Sequence, residues 1–349
     1  MLNSMIKYSL ALAVSLGGAT LAYAASPLRV AMVTSESGLG DRSFNDMMVE
    51  GLKKAKTDFG IDYVVIQPRA VSDFQQSLAR AAGQKFDLIV GSSFDMVKPM
   101  TEVAKAFPDQ KFGLIDANMD VPNVVAAVAK DWEGSFLAGW VAAKTTKTNK
   151  IGFVGGKDIP VIHRFFVGYY YGAKMAKPDV DVLERYSGTF TDPAVGKEFT
   201  LAMVKEGSDI NYAVAGATSA GVIDAARESK TFAIGVDSNQ NYLAPGNVLT
   251  SMMKRVDTIT YDMIKSVKDG TFQGGKTLNY GIKEAGVDLA MDKNNDGLIS
   301  ADTLKSLADV RAKVVAGEIL VPNFFDLKPG QKEMGTPPLA TPPSVANAK

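Results

Sequence analysis

The sequence predicts an α/β protein of two doubly wound lobes, each built on a parallel sheet. Three observations carry that prediction. Short apolar runs alternate with helix-length amphipathic stretches along most of the chain, as βαβ units require. Several runs are continuously apolar, as strands covered on both faces must be. The series also runs twice, and 349 residues suffice for about two domains.

The elements follow in order. Residues 28–34 form the first β-rich run. Gly38 and Gly40 then mark a turn, and 43–59 carry helical periodicity. Strand 62–66, helix 73–84, strand 86–90 and helix 94–107 repeat the unit. Residues 111–116 and 124–128 read as two more strands, and 131–144 as a helix rich in Ala and Gly. The second series has strands at 150–155, 180–186, 212–215 and 231–236. Its helices are 162–177, 194–206 and 221–228. Strand 248–253 and helix 257–268 come next; beyond Gly270 only strand 278–282 and helix 301–316 stand out. These divisions assign 27–130 plus about 250–278 to one lobe, and 140–247 plus about 279–326 to the other. No short fixed period recurs, which argues against a solenoid. Residues 328–349, rich in Pro, Thr and Ala without periodicity, read as a flexible tail.

At the other end, Lys7 precedes an apolar run over 8–21, and small residues close it at Ala22, Ala24 and Ala25. This is the pattern of a cleavable signal peptide over 1–25. The run is shorter than the roughly 20 residues that span a bilayer. The mature chain is therefore expected in the bacterial periplasm and not across a membrane. With no Cys, lipid attachment, a disulfide framework, a thiolate metal site and a catalytic thiol are all ruled out. His163 is the single histidine, so multi-histidine metal sites are ruled out too. Lys+Arg and Asp+Glu are both 38, and this balance gives no pull toward nucleic acid.

Open parallel sheets bind ligands beyond the carboxyl ends of their strands. At those places stand Ser35, Asp41, Phe44, Asn45, Ser93, Asp116, Phe165, Phe190, Gly216, Asp237 and Lys254. Aromatic faces can stack on a flat ring, and carboxylates accept from hydroxyls. The set suits a polar, ring-bearing small molecule. Gly38 and Gly40 lack the third glycine of a dinucleotide fingerprint, and no phosphate-gripping loop motif occurs.

Five segments carry a family resemblance: GDRSFN at 40–45, GGKDIP with RFFVG at 155–168, GTFTD at 188–192, GVDSNQ at 235–240 and TSMMKRVD at 250–257. With them the chain resembles the basic membrane protein family of solute-binding proteins, relatives of purine-nucleoside receptors that serve ABC transporters. The resemblance spans roughly residues 28–325. It implies a type I periplasmic binding protein fold, with two lobes joined by three crossing strands and closing on a ligand. It implies no catalysis and no cofactor. It further implies that Phe44 stacks on one face of a purine-like base and Phe190 or Phe165 on the other. Asn45 and Asp116 would bond from the first lobe, Asp237 and Lys254 would hold ribose hydroxyls, and Gly216 would admit the backbone. Many relatives place an acidic residue shortly after the first strand; here Ser35 stands there with Glu36 beside it.

Each residue also has a plainer role open to it. Phe44 could be a core residue, Lys254 a solvated strand end, Asp116 a turn cap, and Asp192 a helix N-cap. Of Phe165 and Phe166, one is expected to pack inward and the other to point outward or into the cleft. A same-fold sugar receptor and an exported nucleoside or sugar hydrolase are the alternative functions. One segment falls outside this pattern. Asp292, Asn294 and Asp296 match the opening of a calcium loop, but place twelve is Thr303. Calcium binding, or a surface turn with an N-cap for the next helix, would account for it.

Overall fold

The computed structural model describes residues 26–327. The segments read as signal peptide and tail lie outside the described residues. No helix within the described residues is long and apolar enough to cross a membrane.

The first series lays down β1 (Arg29–Val33), α1 (Phe44–Phe59), β2 (Asp62–Ile66), α2 (Phe74–Gly83), β3 (Leu88–Gly91), α3 (Val97–Ala106), β4 (Phe112–Ile115) and β5 (Val124–Ala129). Strands β3, β4 and β5 are buried along their whole length, which explains their unbroken apolar sequence. After α4 (Asp131–Thr145) the second series gives β6 (Lys150–Gly155), α5 (Pro160–Ala176), β7 (Asp181–Tyr186), α6 (Pro193–Lys205), β8 (Ile210–Val214), α7 (Ser219–Ser229), β9 (Phe232–Asp237) and β10 (Val248–Lys254). The chain ends with α8 (Val256–Lys268), β11 (Lys276–Tyr280), β12 (Val287–Ala290) and α9 (Ala301–Val315).

Two six-stranded sheets result, ordered β2-β1-β3-β4-β5-β11 and β7-β6-β8-β9-β10-β12. Their orders correspond strand for strand, so β4 and β9 hold equivalent places. All pairings are parallel except β10 with β12. The chain passes between lobes three times: after β5, after β10 and between β11 and β12. The Lys130 amide donates to the Tyr280 carbonyl, and the Arg255 amide to the Gly286 carbonyl, both at 2.8 Å. The crossings are thus tied to one another.

The lobe boundaries need correction. Strand β10 pairs with β9 and β12 in the second sheet, so that lobe holds the chain through Lys254, not only to 247. Helix α4 packs on α5, α9 and β10, so the second lobe begins at 131 rather than 140. Helix α8 packs on α1, and β11 joins the first sheet through Tyr280. A fully apolar strand such as β10 reads the same in either sheet, because local pattern records burial and not neighbours. Strand β12 has no counterpart among the predicted elements; four residues are too few to show a period.

Helices α4 and α5 approach backbone to backbone. A Cβ on Gly172 would lie 1.9 Å from the Phe136 carbonyl oxygen, and one on Gly139 the same distance from that of Tyr169. Neither helix can yield without disturbing its own hydrogen bonds. Gly172→Ala is therefore expected to destabilise the protein by about 3 kcal/mol or more, the upper range for an overpacked core. Urea unfolding checks this; a loss below about 1 kcal/mol would mean that the helices slide apart at little cost.

Candidate functional site

Equivalent strands β4 and β9 both lead into an aspartate with left-handed backbone. Asp116 follows β4 at φ +82°, and Asp237 ends β9 at φ +64°. A non-glycine residue in this region costs roughly 1–3 kcal/mol and tends to mark a site where geometry serves function. The two side chains meet in a cavity between the lobes.

The cavity floor is a buried charge cluster. Lys254 Nζ lies 2.8 Å from Asp116 Oδ1 and 3.4 Å from Asp131 Oδ2. Arg164 Nη2 lies 2.9 Å from Asp116 Oδ1 and 2.7 Å from Asp131 Oδ2. Burial works against the Asp116 charge, but Lys254 and Arg164 outweigh it and hold the carboxyl below its ordinary range. Burial dominates at Asp131 and Asp237 and pushes both up to about 6. At Lys254 burial is overcome by Asp116, Asp131 and Asp237, so the ammonium is held more firmly than usual. Asp116 and Asp237 each keep one oxygen without a hydrogen bond among the described residues.

Cross-lobe contacts close the cleft. Ser43 caps α1 by position, yet its hydroxyl donates to Asp237 instead of to its own helix. Asp41 does the capping: it accepts from the amides of Ser43, Asn45 and Asp46. The Arg42 carbonyl accepts from Ser238 Oγ at 2.7 Å and Gln240 Nε2 at 2.9 Å. Glu36 of the first lobe pairs with Lys157 of the second.

Both walls mix polar and apolar groups. The first lobe contributes Ser35, Glu36, Ser37, Ser93 and Asp95 beside Phe44 and Phe94. The second contributes Val161, Ile162, Phe165, Phe190 and Val236 beside Asp237 and Lys254. Lys254 Nζ lies 5.1 Å from the ring centres of both Phe44 and Phe165. Lys157 Nζ lies 5.3 Å from that of Phe190. Phe166 packs instead on Phe153, with ring centres 5.3 Å apart. Gly216 has φ +56° and sits under Phe190, where a Cβ would lie 3.2 Å from that residue's carbonyl oxygen.

Ten of the eleven residues singled out from the sequence therefore line one cavity: Ser35, Asp41, Phe44, Ser93, Asp116, Phe165, Phe190, Gly216, Asp237 and Lys254. Asn45 does not. It is fully buried, and its amide is consumed by Ser35, Asp41 and Ser92. Its expected bond to a ligand is corrected to a role in fixing the loop after β1. Asp41 reaches the wall, but both its oxygens are committed to the first turn of α1, so it too supports rather than binds. Ser93 Oγ accepts from the Asp95 amide while bordering the cavity.

Arg164 and Asp131 have no role of their own in the sequence reading. Arg164 had a signal: a lone guanidinium inside the apolar run 161–168 must be paired when buried. Asp131 had a weaker one, as the single carboxylate that opens a nearly all-apolar helix face. Asp192 is the N-cap of α6, accepting from the Ala194 amide at 2.9 Å. His163 lies outside the cavity, 2.6 Å from Asp158 and edge-on to Phe324. The segment at 292–296 is a hydrogen-bonded turn. Asp292 accepts from Asn239 Nδ2 and the Asn294 amide, and Ser300 caps α9. Among the described residues no three Asp, Glu, His or Cys side chains gather as a metal site would need.

Comparison with known proteins agrees with this architecture. A family model described as ABC transporter substrate-binding protein PnrA-like matches residues 28–324. A Lactococcus lactis protein named ABC transporter nucleoside-binding protein BmpA is 36% identical over 318 residues, 85% of this chain and 89% of the relative. Basic membrane protein A of Borreliella afzelii is 34% identical over 292 residues, 81% of this chain and 88% of the relative. Among solved structures, an ABC transporter solute-binding protein from Aeropyrum pernix superposes with a TM-score of 0.81 at 29% identity, covering 88% of this chain and 98% of its own. The hydrolase alternative finds no support in these relatives, which are transport proteins rather than enzymes. The chain belongs to the PnrA-like family of ABC transporter substrate-binding proteins.

Proposed function

We propose that this chain is exported by cleavage near residue 25 and acts as a periplasmic receptor for a purine nucleoside or related nucleobase compound, delivering it to an ABC importer. One observation carries the reading. Aspartates from equivalent strand ends of opposed lobes, each with a free oxygen, share a cavity with four aromatic residues, Phe44, Phe94, Phe165 and Phe190. A ribose offers vicinal hydroxyl donors to Asp116 and Asp237, and an acceptor oxygen to Lys254. A base offers two flat faces to Phe44 and to Phe190 or Phe165. Ser35 and Glu36 would read its edge. A ligand held from both lobes stabilises the closed arrangement by its differential affinity.

The test is a thermal-shift panel of nucleosides, free bases and pentoses. Nucleosides are expected to raise the melting temperature and to be recovered unchanged. Phe190→Ala is expected to weaken nucleoside binding by about 1–3 kcal/mol, the worth of one base–aromatic stack. Pentoses that bind as tightly as nucleosides, with no effect of Phe190→Ala, would instead assign a sugar receptor.

A further inference from the structure

We propose that Arg164 is a positioning residue for ligand capture: it holds the Asp116 carboxylate as an acceptor aimed at the cleft and ties that first-lobe group to Asp131 at the crossing. Arg164 does not line the cavity. It stands behind Asp116, on α5 of the opposite lobe, and is 3% exposed. One nitrogen, Nη2, reaches both Asp116 at 2.9 Å and Asp131 at 2.7 Å. Asp131 is the first residue after the chain passes from β5 into the second lobe, and it is fully buried. The guanidinium lies 5.9 Å from the ring centres of both Trp132 and Phe325.

Charge counting shows why Lys254 alone cannot do this. Four elements bring charges to Asp116: Arg164 on α5, Lys254 at the end of β10, Asp131 opening α4, and Asp237 ending β9. Three carboxylates face two cations. Without Arg164 the ratio becomes three to one in a buried space. Asp131 and Asp237, already raised to about 6, take protons first, and Asp116, left with Lys254 alone, titrates higher than in the parent. As it takes a proton, Asp116 turns from a double acceptor into a partial donor. The hydroxyl of a ligand then loses its partner, although no residue touching it has changed.

The proposal rests on the cleft reading above, and its test separates the two. Affinity for guanosine is measured from pH 8 to about pH 5.5 in the parent, Arg164→Gln and Arg164→Lys. Asp116 is also titrated by carboxyl-carbon NMR without ligand. For Arg164→Gln we expect binding roughly tenfold weaker at pH 8 and about a hundredfold weaker near pH 5.5, since each pH unit past protonation of the acceptor is a factor of ten. Arg164→Lys restores the charge, so it should recover the pH profile, but its shorter side chain must bring one ammonium to both carboxylates without the guanidinium's ring contacts, and it should remain weaker throughout. Arg164→Gln added to Asp116→Asn should weaken binding no further than Asp116→Asn alone.

A purely structural arginine gives another pattern. The melting temperature falls, but the folded fraction keeps its affinity and pH profile, and this outcome overturns the proposal. If the parent binds neither guanosine nor any other nucleoside or base of the panel, the nucleoside reading fails; the NMR titration still decides the role of Arg164. Asp116 should titrate at clearly higher pH in Arg164→Gln, and an unchanged titration sinks the proposal. If the glutamine variant does not fold, Arg164→Lys carries the test: a guanosine affinity equal to the parent's would show that the reach of the guanidinium to both carboxylates positions nothing.

Discussion

Asp237→Asn is expected to unfold at higher urea than the parent at pH 8 and to bind ligand about tenfold to a hundredfold more weakly. Burial raises this carboxyl from 3.8 to about 6, so the folded state resists its ionisation. Asparagine keeps an oxygen to accept from Ser43 and removes the charge. The folded value lies above the unfolded one, so between about pH 4 and pH 6 the folded state binds more protons, and stability falls as pH rises. The variant escapes that fall. Its advantage should be absent below about pH 4, grow through the window, and reach on the order of 3 kcal/mol at pH 8. Binding moves the other way. A charged hydrogen bond to a ligand hydroxyl contributes roughly 1.5–3 kcal/mol, so affinity should drop by about tenfold to a hundredfold. Urea unfolding at pH 4 and pH 8, with calorimetric titration, reads both. A variant less stable than the parent at pH 8 would show that Asp237 is held mainly by its partners, not penalised by burial.

Lys254→Met should have the opposite effect on stability. The ammonium is 1% exposed and faces Asp116, Asp131 and Asp237 together. Methionine fills much of the same space but leaves three carboxylates to a single guanidinium. Breaking a buried ion pair from one side costs about 3–5 kcal/mol, and that loss is expected at pH 8. The uncompensated carboxylates titrate at higher pH in the variant, so it should regain stability as pH falls toward about 5. Adding Asp237→Asn removes one of the stranded charges and should recover part of the loss. If the double variant is less stable than Lys254→Met alone, the two side chains do not share one electrostatic unit.

The two predictions show how the site balances stability against capture. Asp237 sits where it weakens the fold, and Lys254 where it rescues it. A left-handed backbone at Asp116 and Asp237 adds strain at the same place.

The sequence by itself determined much of this protein. Alternating apolar and amphipathic runs fix the βα order, because burial on both faces of a parallel strand permits little else. Strand ends showed where ligand residues must lie, and ten of those named border one cavity. Tertiary structure alone decided the rest. It assigned β10 to the second sheet and not the first, since apolar strands carry no label for their neighbours. It withdrew Asn45 from the cavity, because whether an amide is free or consumed depends on what folds against it. It brought Arg164 and Asp131, 33 residues apart, behind Asp116. Periodicity records how deeply a side chain is buried. Which opposite charge meets it there depends on how the lobes close, and no local pattern encodes that.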